Sequence, residues 1–113
     1  MRRLVILAVA SAITSATAQN PADQQSSLDQ IGKGAEIFAV YCTPCHGEHM
    51  SNPDFFNLKA FPPNQRSRFL NSVTNGKNAM PPWGSVLKHE DIEALWAYEI
   101  GMLSKDTLKR SIY

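Results

Sequence analysis

The sequence predicts an all-α domain of three main helices joined by long loops. Three segments carry apolar residues at helical spacing, and none shows the apolar–polar alternation of a half-buried strand. The connections are rich in turn formers, as at Asn52-Pro53, Pro62-Pro63 and Asn75-Gly76. The only two cysteines lie in one pentapeptide, Cys42-Thr43-Pro44-Cys45-His46, directly after the first helical segment.

Taken in order, residues 1–18 read as a secretory signal, which directs the mature protein to the periplasm. Arg2 and Arg3 form its positive region, Leu4 to Ala12 its apolar run, and Ala16-Thr17-Ala18 its cleavage site, so the mature chain starts near Gln19. The apolar run is shorter than a bilayer span and is interrupted by Ser11, Thr14 and Ser15; no later segment is long enough to span a membrane. Residues 19–27 are polar without periodicity and read as a flexible leader, which makes 28–113 the folded domain. Ser27 and Gln30 resemble a capping box for a first helix whose apolar positions are Leu28, Ile31, Ala35, Phe38 and Tyr41. Gly32 and Gly34 lower its helix propensity, so at least one of them admits a close neighbour.

From Gly47 to Pro63 the chain reads as a loop with Phe55, Phe56, Leu58 and Phe61 turned inward. A second helix is expected from an N-cap at Asn64 through Phe69, Leu70 and Val73 to Asn75-Gly76. A third is expected from about Lys88 to Ile100, ending at Gly101. Its stripe is Ile92, Leu95, Trp96 and Tyr98, and Glu90, Asp91 and Glu93 lie near its positive end.

The C-x-x-C-H spacing is the signature of covalent c-type haem attachment: two thiols on one turn can each form a thioether with a vinyl group of one haem, leaving His46 beside the iron. A zinc site with His49 as fourth ligand is the main alternative. A strained C-x-x-C disulfide leaves the histidine unexplained, and a thioredoxin-like pair needs a βαβ context absent here. About 95 residues remain after cleavage, thin for a core of side chains alone, and one buried covalent haem supplies the missing apolar volume.

A ligand on the opposite face of the iron must come from farther along the chain. Met50 and His49 are too near, since four residues reach at most about 14 Å. Met80 has the reach, in a segment stiffened by Pro81 and Pro82; His89 and Met102 are its rivals.

The whole chain carries formal charge +1, and losing Arg2 and Arg3 makes it −1, which predicts no nucleic-acid partner. Lys59, Arg66, Arg68, Lys77 and Lys88 are the only charged residues between Asp54 and Glu90. They form either an ordinary solvated surface or a basic rim that steers an acidic redox partner.

These residues resemble a class I cytochrome c of the short, monohaem bacterial type, over about Gly34 to Gly101. The resemblance rests on Gly34 and Phe38, on Cys42-Thr43-Pro44-Cys45-His46-Gly47, on Met80-Pro81-Pro82-Trp83-Gly84, and on Leu95 and Tyr98. It implies two terminal helices crossing with glycine against aromatic, and a proline carbonyl that orients His46, with Pro53 or Pro62 in that role. Trp83 is expected either to donate to a haem propionate or simply to pack. Lys88, where the family has Ser, Thr or Asp, is a poor N-cap.

Cys42, Cys45, His46 and Met80 are thus the expected haem-binding residues, with His46 and Met80 as metal ligands. With both axial positions filled, the protein is expected to be a monomeric one-electron carrier and not an enzyme. The segments 57–58, 75–77, 80–83 and 95–98 are also similar to cytochromes that serve quinoprotein (PQQ) alcohol dehydrogenases. This implies a dehydrogenase donor and an oxidase or cytochrome acceptor in the respiratory chain; a general shuttle from the cytochrome bc complex to a terminal oxidase is the other reading. The alternatives are a gas sensor or peroxidase-like enzyme with a labile Met80, and a cytochrome subunit bound permanently to a dehydrogenase or oxidase.

Overall fold

The computed structural model describes residues 4–13 and 21–112. Residues 4–13 take no regular structure, and their Leu4, Ile6, Leu7 and Val9 are exposed. The expected cleavage site Ala16-Thr17-Ala18 and the start at Gln19 lie outside the described residues.

Four helices follow: α1 Pro21–Tyr41, α2 Thr43–His46, α3 Arg66–Asn75 and α4 His89–Ile112. Single 3-10 turns at Glu48–Met50 and Leu58–Ala60 punctuate the first loop, and the described residues hold no strand beyond one isolated bridge between Lys77 and Met80. No helix among them is long and apolar enough to cross a membrane.

The helix boundaries correct the sequence reading in three places. First, α1 begins at Pro21, so Ser27 and Gln30 lie inside the helix and not at its cap. Proline is pre-organised for the first helical position, where its missing N–H is not needed, and the polar residues that follow do not oppose a helix. Second, α3 starts at Arg66 with Gln65 in the cap position, one residue past the expected cap Asn64; the Gln65 side chain accepts from Arg68 Nη1 at 2.7 Å. Third, α4 runs straight through Gly101. A mid-helix glycine costs only about 1 kcal/mol relative to alanine, and no proline follows to stop the helix.

The poor N-cap at Lys88 is repaired from within α4. The Lys88 backbone N–H donates to Asp91 Oδ2 at 2.9 Å, the reciprocal half of a capping box. Asp91 also pairs with Lys33 of α1 at 2.9 Å, and chiefly this partner holds its carboxyl below the usual range.

The main helix packing is α1 on α4, and α3 also packs on α4. The close approach is at Gly34, where a Cβ would lie 2.6 Å from the Ala94 carbonyl carbon and 2.9 Å from Tyr98 Cβ. Gly32 faces open space, so Gly34 is the glycine the crossing requires. One turn on, Phe38 stacks at a tilt on Tyr98, centroids 5.3 Å apart. On the α3 side, Phe69 meets Trp96 at 5.1 Å and Phe61 at 5.6 Å. Phe38, Phe61, Phe69, Val73, Ile92 and Leu95 are buried together with Met50, Leu87 and Tyr98 in one core.

Candidate functional site

The helices and both loops enclose a cavity of about 420 Å³, within the range of cofactor pockets. Cys42, Cys45 and His46 meet Met80 on its wall, although 34 residues separate His46 from Met80. The rivals are elsewhere. His89 is exposed at the start of α4, 3.2 Å from Glu93, and Met102 packs against the core outside the cavity lining.

The attachment motif folds as the short helix α2. The amide of His46 donates to the Cys42 carbonyl at 2.9 Å, and that of Gly47 to Thr43 at 2.8 Å. The chain then reverses sharply, with positive φ at Gly47, His49 and Met50. A Cβ at Gly47 would sit 2.6 Å from Ser51 Oγ and 2.9 Å from the Asn52 nitrogen. Asn52 closes the turn: its backbone N–H donates to the His46 carbonyl at 2.9 Å and its side-chain Nδ2 to the Cys45 carbonyl at 3.0 Å. These are two of the carbonyls that the end of α2 leaves open. In the sequence, Asn52 was legible only as part of a turn signal.

The Met80 loop is pinned as firmly. Lys77 and Met80 exchange backbone hydrogen bonds of 3.1 and 2.9 Å around Asn78, whose φ is +53°. Trp83 and Gly84 donate to the Val73 and Thr74 carbonyls at 2.9 and 3.0 Å, satisfying the C-terminal end of α3. Gly76 has φ +78° and ψ 165°, a conformation essentially reserved for glycine and distinct from the left-handed helical cap the sequence suggests. Trp83 packs edge-on against Tyr41 at 5.3 Å.

The electrostatics suit a ligand histidine. Burial lowers the His46 pKa, which favours the neutral imidazole with a free lone pair. Its Nδ1 is buried without a hydrogen-bond partner, so the carbonyls of Pro53 and Pro62 do not orient it here. Burial, with Cys45 adding to it, pushes the Cys42 thiol up to about 11. His49 instead lies with Nδ1 3.5 Å from the Tyr98 hydroxyl. Among the described residues, no three His, Cys, Asp or Glu side chains converge to hold a metal ion.

Phe55, Phe56, Leu58 and Phe61 all line the cavity, but Phe55 and Phe56 are about half exposed and form its mouth. Of the five basic residues, Arg68 and Lys77 line it. The Arg68 guanidinium lies 5.1 Å from the Phe61 ring centre, whereas Arg66 is bonded to Glu93.

Sequence reasoning missed Glu99. It is fully buried, lines the cavity, and neither carboxyl oxygen has a hydrogen-bond partner. Burial pushes its carboxyl up to about 8. The signal was available: Glu99 falls at helical spacing on the apolar stripe that Ile92 and Leu95 begin.

The family model described as "Cytochrome C oxidase, cbb3-type, subunit III" matches residues 29–98. The FixP subunit of the cbb3-type cytochrome c oxidase of Azorhizobium caulinodans is 32% identical over 108 residues, covering 82% of this chain and 37% of that protein. Cytochrome c6 of a Synechococcus species is 34% identical over 82 residues, covering 67% of this chain and 73% of the relative. Cytochrome c6 of a Nostoc species is 34% identical over 79 residues, covering 65% and 71%. No solved structure matches the chain significantly.

The chain belongs to the class I c-type cytochromes, within the family that this cbb3 subunit model describes. It is therefore an all-α, haem-based electron-carrier domain with one covalent c-type haem. It spans little more than a third of the FixP subunit's length.

Proposed function

We propose that this protein is a periplasmic carrier whose haem is joined to Cys42 and Cys45 and whose iron is ligated by His46 and Met80. The observation that carries the reading is the meeting of these four side chains on one largely apolar cavity. When bound, the haem supplies a one-electron couple at iron. Cys42 and Cys45 would hold the ring at α2, and His46 and Met80 would be the protein ligands to its iron. Phe38, Phe61, Phe69 and Leu95 exclude water from the ring.

Electrons would arrive from a quinoprotein (PQQ) alcohol dehydrogenase and leave toward an oxidase or cytochrome of the respiratory chain. The donor assignment rests on the resemblance of residues 57–58, 75–77, 80–83 and 95–98. Arg68 and Lys77 at the cavity favour a partner with an acidic docking face. The match to FixP favours a second reading, a cytochrome subunit held in an oxidase complex; purification of the tagged protein under mild conditions separates a free carrier from a bound subunit.

The optical spectrum of the matured, oxidised protein tests the ligation. A sulfur-to-iron charge-transfer band is expected in the wild type. Met80→Ala should keep its covalent haem, lose that band, fall in potential and bind external ligands; an unaltered spectrum moves the ligand to another residue.

A further inference from the structure

Glu99 is a chemical outlier in its own helix. Ile92 and Leu95 fill the buried stripe of α4 with hydrocarbon, and at the next position on that stripe the chain places a carboxyl with no partner. Among the described residues it alone of the charged side chains is buried. An ionised carboxylate there loses its hydration with nothing to replace it, so the group is a neutral acid unless positive charge enters the cavity. In a c-type cytochrome that charge changes by one unit with each turnover.

We propose that Glu99 is a redox-linked proton site: it takes up one proton when the iron takes up one electron, and releases it on oxidation. The proposal rests on the haem-carrier reading above. Glu99 goes from carboxylate to carboxylic acid with a proton from solvent, as the iron goes from Fe(III) to Fe(II) with an electron from the donor protein. The sign follows from charge. Fe(III) carries one more positive charge than Fe(II), so the carboxylate is favoured in the oxidised protein and the acid in the reduced one.

The other ionisable groups near the cavity come from every element packed around it. Tyr41 comes from α1, Arg68 from α3 and Lys77 from the Met80 loop; the 3-10 turn at Glu48–Met50 contributes Met50, with His49 outside the lining, 3.5 Å from the Tyr98 hydroxyl. From α2, Cys42 and Cys45 would be thioethers and His46 an iron ligand. The 3-10 turn at Leu58–Ala60 contributes only the apolar Leu58, and on α4 itself burial and then Glu99 raise the pKa of the neighbouring Tyr98 still further. The haem propionates are the rival proton sites, and they remain in place when residue 99 is changed.

Spectroelectrochemical titration of the matured holoprotein across the pH range decides between them. In the wild type, the equilibrium constant for reduction should fall by up to tenfold per pH unit, about 59 mV, between the Glu99 pKa of the oxidised protein and that of the reduced protein. Glu99→Gln, which keeps the shape, and Glu99→Leu, which continues the apolar stripe, should both abolish that slope. Reduction of the wild type in weakly buffered solution with a pH indicator should show proton uptake in the same window. A slope that persists in either variant overturns the proposal and assigns the proton to the propionates, and a flat wild-type profile also overturns it. A pyridine haemochrome on each sample keeps the two readings separable. Protein with covalent haem and no Glu99-dependent slope defeats only this proposal, whereas wild-type protein without covalent haem defeats the carrier reading itself.

Discussion

At the α1–α4 crossing the protein is held by backbone against backbone, while around the cavity it is held by loops whose shape depends on a few unusual torsions. Gly34 lets Ala94 and Tyr98 approach α1, and Phe38 and Tyr98 continue the contact one turn on. On the loop side, Gly47, His49, Met50, Gly76 and Asn78 all have positive φ. Hydrogen bonds to the ends of α2 and α3 fix those torsions: Asn52 bonds the carbonyls of Cys45 and His46, and Trp83 and Gly84 bond those of Val73 and Thr74. The difference teaches that the two halves fail differently. The crossing loses stability when volume is added; the loops lose the placement of His46 and Met80 when a torsion or an anchor changes.

Substitutions on either side should separate these two kinds of failure. The largest effect belongs to Cys45→Ala. Loss of one thioether anchor should weaken or abolish maturation, read as covalent haem per chain, and normal content would contradict the attachment model. Next is Gly34→Ala, whose new methyl meets backbone atoms that cannot rotate away. It should destabilise the holoprotein by about 2–3 kcal/mol in urea unfolding, with the Met80 charge-transfer band intact in the folded fraction.

Gly76→Ala should invert that pattern. Its Cβ would lie 2.7 Å from the Met80 carbonyl oxygen and 2.9 Å from the Pro82 nitrogen, in a conformation alanine avoids. A loss of about 1–3 kcal/mol is expected, together with weakening of the charge-transfer band before any haem is lost. Retention of the full band would show that the loop does not set the ligand's position. The smallest effect is that of Gly32→Ala, which meets nothing within 4 Å. It should stabilise α1 by about 0.5–1 kcal/mol, and a loss there would mean that the crossing extends to Gly32.

The parts of the site that were legible in the sequence are those whose chemistry is local. Cys42, Cys45 and His46 sit within five residues, and the spacing alone specifies a chemistry. Met80 was reachable by a chain-length argument, because the proline-stiffened segment is far enough along to round a macrocycle. Glu99 went unread, and Asn52 and Asp91 were read only as part of a turn and of a helix's acidic first turn, for a common reason: each acts through a neighbour that only folding supplies. Glu99 matters because of the cavity it lines, Asn52 because of the carbonyls it closes, and Asp91 because it caps Lys88 while pairing with Lys33.

By itself, the sequence determined that the protein is helical, that it anchors a c-type haem, and which family it resembles, since periodicity and motif spacing are properties of neighbouring residues. Only the tertiary structure decided that Gly34, not Gly32, meets α4 and that α4 continues past Gly101. It also decided that Met80, not His89 or Met102, lines the cavity with His46, and that a carboxyl lies buried there without a partner. Those outcomes depend on contacts between residues tens of positions apart, where the free energy of packing decides among local conformations that the sequence leaves nearly equal.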